Sequence, residues 1–149
     1  MSTVKITVDG RPTPQGSKTR GRHGGVYEAS GKHLKPWREA IAVKCHNAVL
    51  GAYPRPGQGG AAVRVRIVFY LARPQNHYGR RGGVRYLKDS APGRPVGRPD
   101  LDKLERGVLD ALKMGGAYRD DSQVVSLSSD KYYADDGLPS GATIEIGDV

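Results

Sequence analysis

Leu101, Leu104, Val108, Ala111 and Leu112 recur at the spacing of one helix face, and Gly115-Gly116 ends the run. Such a stripe must be covered by apolar surface, and the chain offers alternating segments to do it. Val4, Ile6 and Val8 alternate with polar residues over 3–9. Val63, Val65, Ile67 and Phe69 do the same further on, on a strand whose other face begins with Arg64 and Arg66. Residues 123–133 and 142–146 read as two more strands. A second helix is expected from Pro36, suited to a first helical turn, to about residue 50, with Trp37, Ala40, Ile41 and Ala48 at helical spacing. The expected order is β-α-β-α-β-β. That is a mixed α/β (α+β) fold with a mixed sheet and two main helices, in a single domain over residues 1–149.

Two stretches lie outside this pattern and read as long loops. Residues 11–35 contain Pro12, Pro14 and five glycines, which rule out regular structure through most of the segment. Residues 73–98 hold seven Lys/Arg and one acid, Asp89, with Tyr78 and Tyr86 interleaved. Basic residues with spaced tyrosines suit phosphate contacts plus base or sugar stacking. Lys18 and Arg20 in the first stretch, and Arg80, Arg81 and Arg85 in the second, are the candidate DNA contacts.

Charge follows the same division. The chain carries +9 overall, yet residues 1–99 hold nineteen Lys/Arg against four Asp/Glu, and residues 100–149 hold five against eleven. A polyanion-binding part and a separate group of carboxylates would produce that split; so would an acidic solvated tail. Cys45 is the only cysteine, so no internal disulfide forms, and a buried thiol is expected. The N-terminus lacks a signal-peptide apolar run, and no segment approaches the ~20 apolar residues of a membrane span. A soluble, cytoplasmic protein is expected. Gly16-Ser-Lys-Thr lacks the Gly-Lys-Ser/Thr of a phosphate loop, and Gly57-Gln-Gly-Gly precedes a strand, so neither is a nucleotide motif. The four histidines are scattered without a close ligand pair.

The chemistry concentrates after residue 99. Asp100 is a good N-cap, and Asp102 stands in the first turn beyond it. Asp120 and Asp121 lie just before the third strand. Folding the helix back on that strand can bring the two pairs together. Carboxylates gathered in one place repel, and a bound dication relieves them. Asp-x-Asp alone is a weak signal, because capping explains most examples. Arg106 follows Asp102 by four residues, which suits either a surface ion pair or a charge beside a phosphate. Glu105 projects close to the apolar stripe and is an oddity. It either favours the positive end of the helix dipole or faces the active site. Lys131 has the strand parity of Asp121. Lys103 points away from Leu101 and reads as a phosphate contact or plain surface.

The run Arg98-Pro-Asp100-Leu-Asp102-Lys-Leu-Glu-Arg106-Gly-Val-Leu-Asp110, followed by Gly116-Ala-Tyr-Arg-Asp120-Asp121-Ser-Gln-Val124, resembles the signature of RusA-type Holliday junction resolvases. Val8-Asp-Gly-Arg-Pro-Thr-Pro-Gln-Gly-Ser-Lys18 resembles the family's opening strand and loop. The resemblance implies a homodimer with a magnesium or manganese site on Asp100, Asp102 and Asp121, with Asp120 as an alternative ligand. It implies cutting of branched DNA, the four-way junction, in recombination and repair. Arg106 and Lys131 would then stabilise phosphate charge. The chain departs where the family commonly has Asn, here Lys103, and Lys, here Arg106. Arg keeps the charge but does not give up a proton. A flap or branched-DNA nuclease, or a non-catalytic DNA-binding protein, are the other readings.

Overall fold

A computed structural model describes residues 2–16, 24 and 31–149, and the backbone of residues 18–20 and 26–28. Four strands make the main sheet: β1 (Thr3–Asp9), β4 (Val63–Leu71), β7 (Val124–Tyr133) and β8 (Gly141–Asp148). Their order is β1-β8-β4-β7. β8 is antiparallel to both neighbours, whereas β4 and β7 are parallel. Helix α1 (Gly31–Leu50) follows β1 in the chain, and α2 (Leu101–Met114) connects β4 to β7. A helical crossover is what a parallel pair requires.

Strict alternation buries one face of the sheet. Val4, Ile6 and Val8 of β1, Val63, Val65, Ile67 and Phe69 of β4, and Ile144 and Ile146 of β8 form one core with the helices. Helix α2 contributes Leu104, Val108, Ala111 and Leu112, close to the stripe expected from sequence. Helix α1 contributes Trp37, Ile41, Cys45 and Val49, one residue per turn. The Cys45 thiol is buried, and burial pushes it up to about 11. The opposite face of the sheet is uncovered. Arg64, Arg66 and Tyr70 stand there on β4, beside Ser126, Ser128 and Tyr132 of β7.

Three expectations need correction. Residues 11–35 are not irregular throughout, because β2 (Lys18–Arg20) pairs with β3 (Val26–Glu28). Helix α1 starts at Gly31, so Pro36 lies inside it and not in its first turn. There it lacks the N–H that would bond the carbonyl four residues back. Residues 73–98 contain a hairpin of β5 (Tyr78–Arg81) and β6 (Val84–Leu87). Gly82 and Gly83 both have positive φ, which matches the two-residue turn whose twist suits a hairpin. The hairpin escapes a hydrophobic-alternation reading because neither strand is buried. The chain therefore adds two hairpins to the β-α-β-α-β-β order of its main sheet. Among the described residues, no helix is long and apolar enough to cross a membrane.

Candidate active site

Helix α2 organises the candidate residues. Its buried side faces the sheet, and its exposed side carries Asp102, Arg106 and Lys113, four and seven residues apart. Asp100 occupies the N-cap, but its side chain accepts no capping hydrogen bond. The capping explanation for this aspartate therefore does not hold. Among the described residues it pairs with Lys103, whose Nζ lies 3.7 Å from Asp100 Oδ2. Asp102 is exposed. No ion pair within 4 Å joins it to Arg106 among the described residues, so the surface-pair reading of that spacing is not realised.

The loop ahead of α2 is tied to the edge strand. Lys131 Nζ donates to the carbonyls of Gly97 (2.7 Å) and Pro99 (2.9 Å). Lys131 thus holds the segment that enters the helix at Asp100. Glu105 lies between α2 and β7 and hydrogen-bonds Ser129. Burial pushes its carboxyl above the usual range, and the charge of Asp102 adds to that rise.

The other aspartate pair sits at the far end of the helix. Asp120 accepts from the Ser122 amide at 2.8 Å, and that bond lowers its pKa, with help from Lys113. Asp121 begins a single 3₁₀ turn (Asp121–Gln123), and its side chain is exposed. Tyr118 marks its position. Its hydroxyl donates to Leu109 O at 2.8 Å and is pushed up by burial first, then by the charge of Asp121. Asp121 therefore lies close enough to Tyr118 for its charge to act on that hydroxyl. All four aspartates are exposed. Among the described residues, no three His, Cys, Asp or Glu side chains are grouped to hold a metal ion.

Gln123 is the residue that sequence reasoning passed over. It is only 9% exposed and makes four hydrogen bonds. Oε1 accepts from the amides of Arg119 (2.8 Å) and Asp120 (3.2 Å). Nε2 donates to Gly57 O (3.1 Å) and Ala61 O (3.0 Å). Together with Asp120 it forms a capping box around the Asp121 turn. The spacing Asp120-x-x-Gln123 is the sequence signal that could have found it.

The opening loop docks on the flank of α2. Gln15 N donates to Lys103 O at 2.9 Å, and Gln15 Nε2 donates to Asp110 Oδ2. Arg38 of α1 donates to Gln15 Oε1 at 3.2 Å. Gly107 allows this approach, since a Cβ there would stand 3.3 Å from Thr13 O. Arg106 Nη1 lies 2.8 Å from where a Gly16 Cβ would be, so Gly16 leaves room for that guanidinium. The two sequence stretches that resemble the RusA pattern therefore touch each other.

The candidate DNA contacts divide by location. Lys18 and Arg20 lie in β2, with their side chains outside the described residues. Arg80, Arg81 and Arg85 belong to the β5–β6 hairpin; Arg80 donates to Gly83 O at 3.2 Å, and the other two carry π contacts. Arg85 lies 3.5 Å from the Tyr78 ring centroid, and Arg81 lies 5.3 Å from that of Tyr86. Arg85 also pairs with Asp136 at 2.8 Å.

The family model of the endodeoxyribonuclease RusA matches residues 9–147. An uncharacterised protein of Bacillus subtilis (strain 168), YqaN, is 31% identical over 144 residues, covering 91% of this chain and 92% of that protein. A match over nearly the whole length shows that this protein belongs to the RusA endodeoxyribonuclease family.

Proposed function

We propose that this chain is a structure-selective endodeoxyribonuclease that cuts four-way DNA junctions with magnesium or manganese, in recombination and repair. The carrying observation is the family match over residues 9–147 on a chain whose Asp100, Asp102 and Asp121 are all exposed. Oxygen donors of this kind suit a hard dication. The fit is incomplete in one chain, because three donors do not converge there among the described residues. The homodimer that the family resemblance implies would carry two such sites. Two sites suit the paired cuts that resolving a junction requires.

A divalent ion held there supplies positive charge to phosphate oxygens that become more negative as the bond breaks. The chain's own residues do the rest. Arg106 supplies a permanent charge on the same side of α2 and cannot act as the proton donor. Lys131 orients the segment entering Asp100 through two carbonyls. Asp120 is the weaker ligand, since its carboxylate is engaged by the Ser122 amide. The hairpin arginines and the basic opening segment hold phosphate with little direct base reading.

Cleavage of a synthetic four-way junction, with and without magnesium and beside linear duplex of the same sequence, tests this reading. Asp102→Asn is expected to abolish cutting while junction binding persists. Equal cutting by wild type and variant would remove Asp102 from the site. No cutting by wild type with either metal would favour a non-catalytic DNA-binding protein.

A further inference from the structure

The uncovered sheet face ends in two adjoining cavities that the proposed cleavage chemistry does not use. One, of about 370 Å³, is lined by Tyr70, Tyr132, Leu138 and Pro139, with Asp9 and Asp135 at its border. That volume lies in the ~300–1,000 Å³ range of small-ligand pockets. The Tyr70 and Tyr132 rings are stacked, 6.3 Å between centroids and 29° between planes, and Tyr70 is 37% exposed. Arg94 lies over the Tyr132 ring at 4.3 Å. The second cavity, of about 390 Å³, shares Tyr132 and Asp135 and adds Arg73, Arg85, Asp136 and Tyr78, with Arg85 paired to Asp136 at 2.8 Å, so a phosphate there would take the place of Asp136 on Arg85. An apolar aromatic slot beside an arginine-bearing one matches the two parts of a nucleotide, a flat base and an anionic phosphate.

We propose that the Tyr70–Tyr132 cavity takes one unpaired nucleobase of the DNA substrate, and that the Arg73–Arg85 cavity takes the adjoining phosphate. The base stacks on the tyrosines against Leu138 and Pro139. Its exocyclic amino group, where present, donates to Asp9 or Asp135. The site rests on reading this chain as a nuclease for branched DNA, because a base stacked in duplex cannot enter such a slot. Its position fits that role. The segment carrying Arg94 passes from Tyr132 on the open face to Lys131 on the helix face, which holds Gly97 and Pro99. Asp100 follows six residues after Arg94. Six residues span at most ~20 Å, or about six base steps at ~3.4 Å. The nucleotide is therefore held within about six base steps of Asp100, where a branched substrate with an unpaired nucleotide can present its base.

The test compares four-way junctions bearing one unpaired nucleotide at the crossover with the same junctions bearing an abasic residue there. Binding is measured by fluorescence anisotropy without magnesium. Wild type is expected to favour the base by roughly tenfold, the scale of one base–aromatic stack. Tyr70→Ala and Leu138→Glu are expected to lose that preference while keeping the wild-type affinity for the abasic junction. Leu138 is 62% exposed in a loop, so its variant leaves the sheet intact. Tyr132→Phe keeps the ring and is expected to keep the preference. Equal wild-type affinity for base and abasic junctions would overturn the pocket, as would variants that retain the preference. If wild type still cuts the fully paired junction with magnesium in that case, the nuclease reading stands alone. Failure to bind any junction would overturn both.

Discussion

Gln123→Ala removes the side chain that holds the Asp121 turn. Four hydrogen bonds disappear, one of them buried and three partly buried. A net hydrogen bond is worth ~1 kcal/mol, and an unsatisfied buried group costs ~1–3 kcal/mol. Water reaches the partly buried amides and carbonyls, so their share is ~0.5 kcal/mol each, and the buried Gly57 carbonyl adds ~1.5 kcal/mol. The expected loss is therefore about 3 kcal/mol. For a chain of this size 1 kcal/mol shifts Tm by ~2–4 °C, so Tm should fall by roughly 6–12 °C in calorimetry. Gln123→Glu provides the contrast. It keeps the acceptor for the Arg119 and Asp120 amides but turns a carboxylate oxygen toward the carbonyls of Gly57 and Ala61. Its deficit should be large at pH 7 and should shrink in acid, where the protonated group can donate again. Magnesium-dependent cleavage at 25 °C should fall in both variants, since Asp121 starts the turn that Gln123 secures. A Tm drop below about 2 °C for Gln123→Ala would refute the reasoning, because it would mean the four bonds contribute nothing net.

Glu105→Gln should stabilise the protein at neutral pH. The wild-type carboxyl has a folded pKa raised above 4.5 by burial, so its ionised form is penalised in the fold. Stability that is fully present below the unfolded pKa is lost as pH rises through the folded value. The gain from the variant should therefore vanish as pH falls to about 4.5, which urea titrations at several pH values would show. Cys45 should not react with a thiol reagent at pH 8 in the native state, since its thiol is buried and raised to about 11; fast native labelling would contradict the packing of α1. Gly16→Ala should cost about 1–2 kcal/mol, from the positive φ of 99° and from displacing Arg106. An unchanged Tm and unchanged cleavage rate would show that Gly16 does not set the position of Arg106.

Much of the fold was legible in the chain because it depends on local periodicity. The α2 stripe and the alternation of β1 and β4 each state which residues face inward, and they do so without reference to partners. The family signature over residues 98–124 was equally legible, since it is a contiguous run. The β5–β6 hairpin was missed because its residues are exposed, and the Gly82-Gly83 turn was its only local mark. The role of Gln123 was missed for a different reason. Two of its partners, Gly57 and Ala61, lie more than sixty positions away, and no local pattern encodes that distance.

The aspartates separate the two kinds of information most clearly. Their identity and spacing along the chain point to carboxylate chemistry on a basic protein. Whether Asp100 caps the helix, whether Asp102 pairs with Arg106, and how far Asp121 stands from both depend on tertiary packing. The structure leaves the Asp100 side chain out of the cap and joins no ion pair between Asp102 and Arg106 among the described residues. It sets Asp121 after the end of α2, where its charge acts on Tyr118. Linear spacing specifies only what lies within a helical turn or a strand repeat. The distance between a helix start and the turn after it follows from how that helix lies on the sheet.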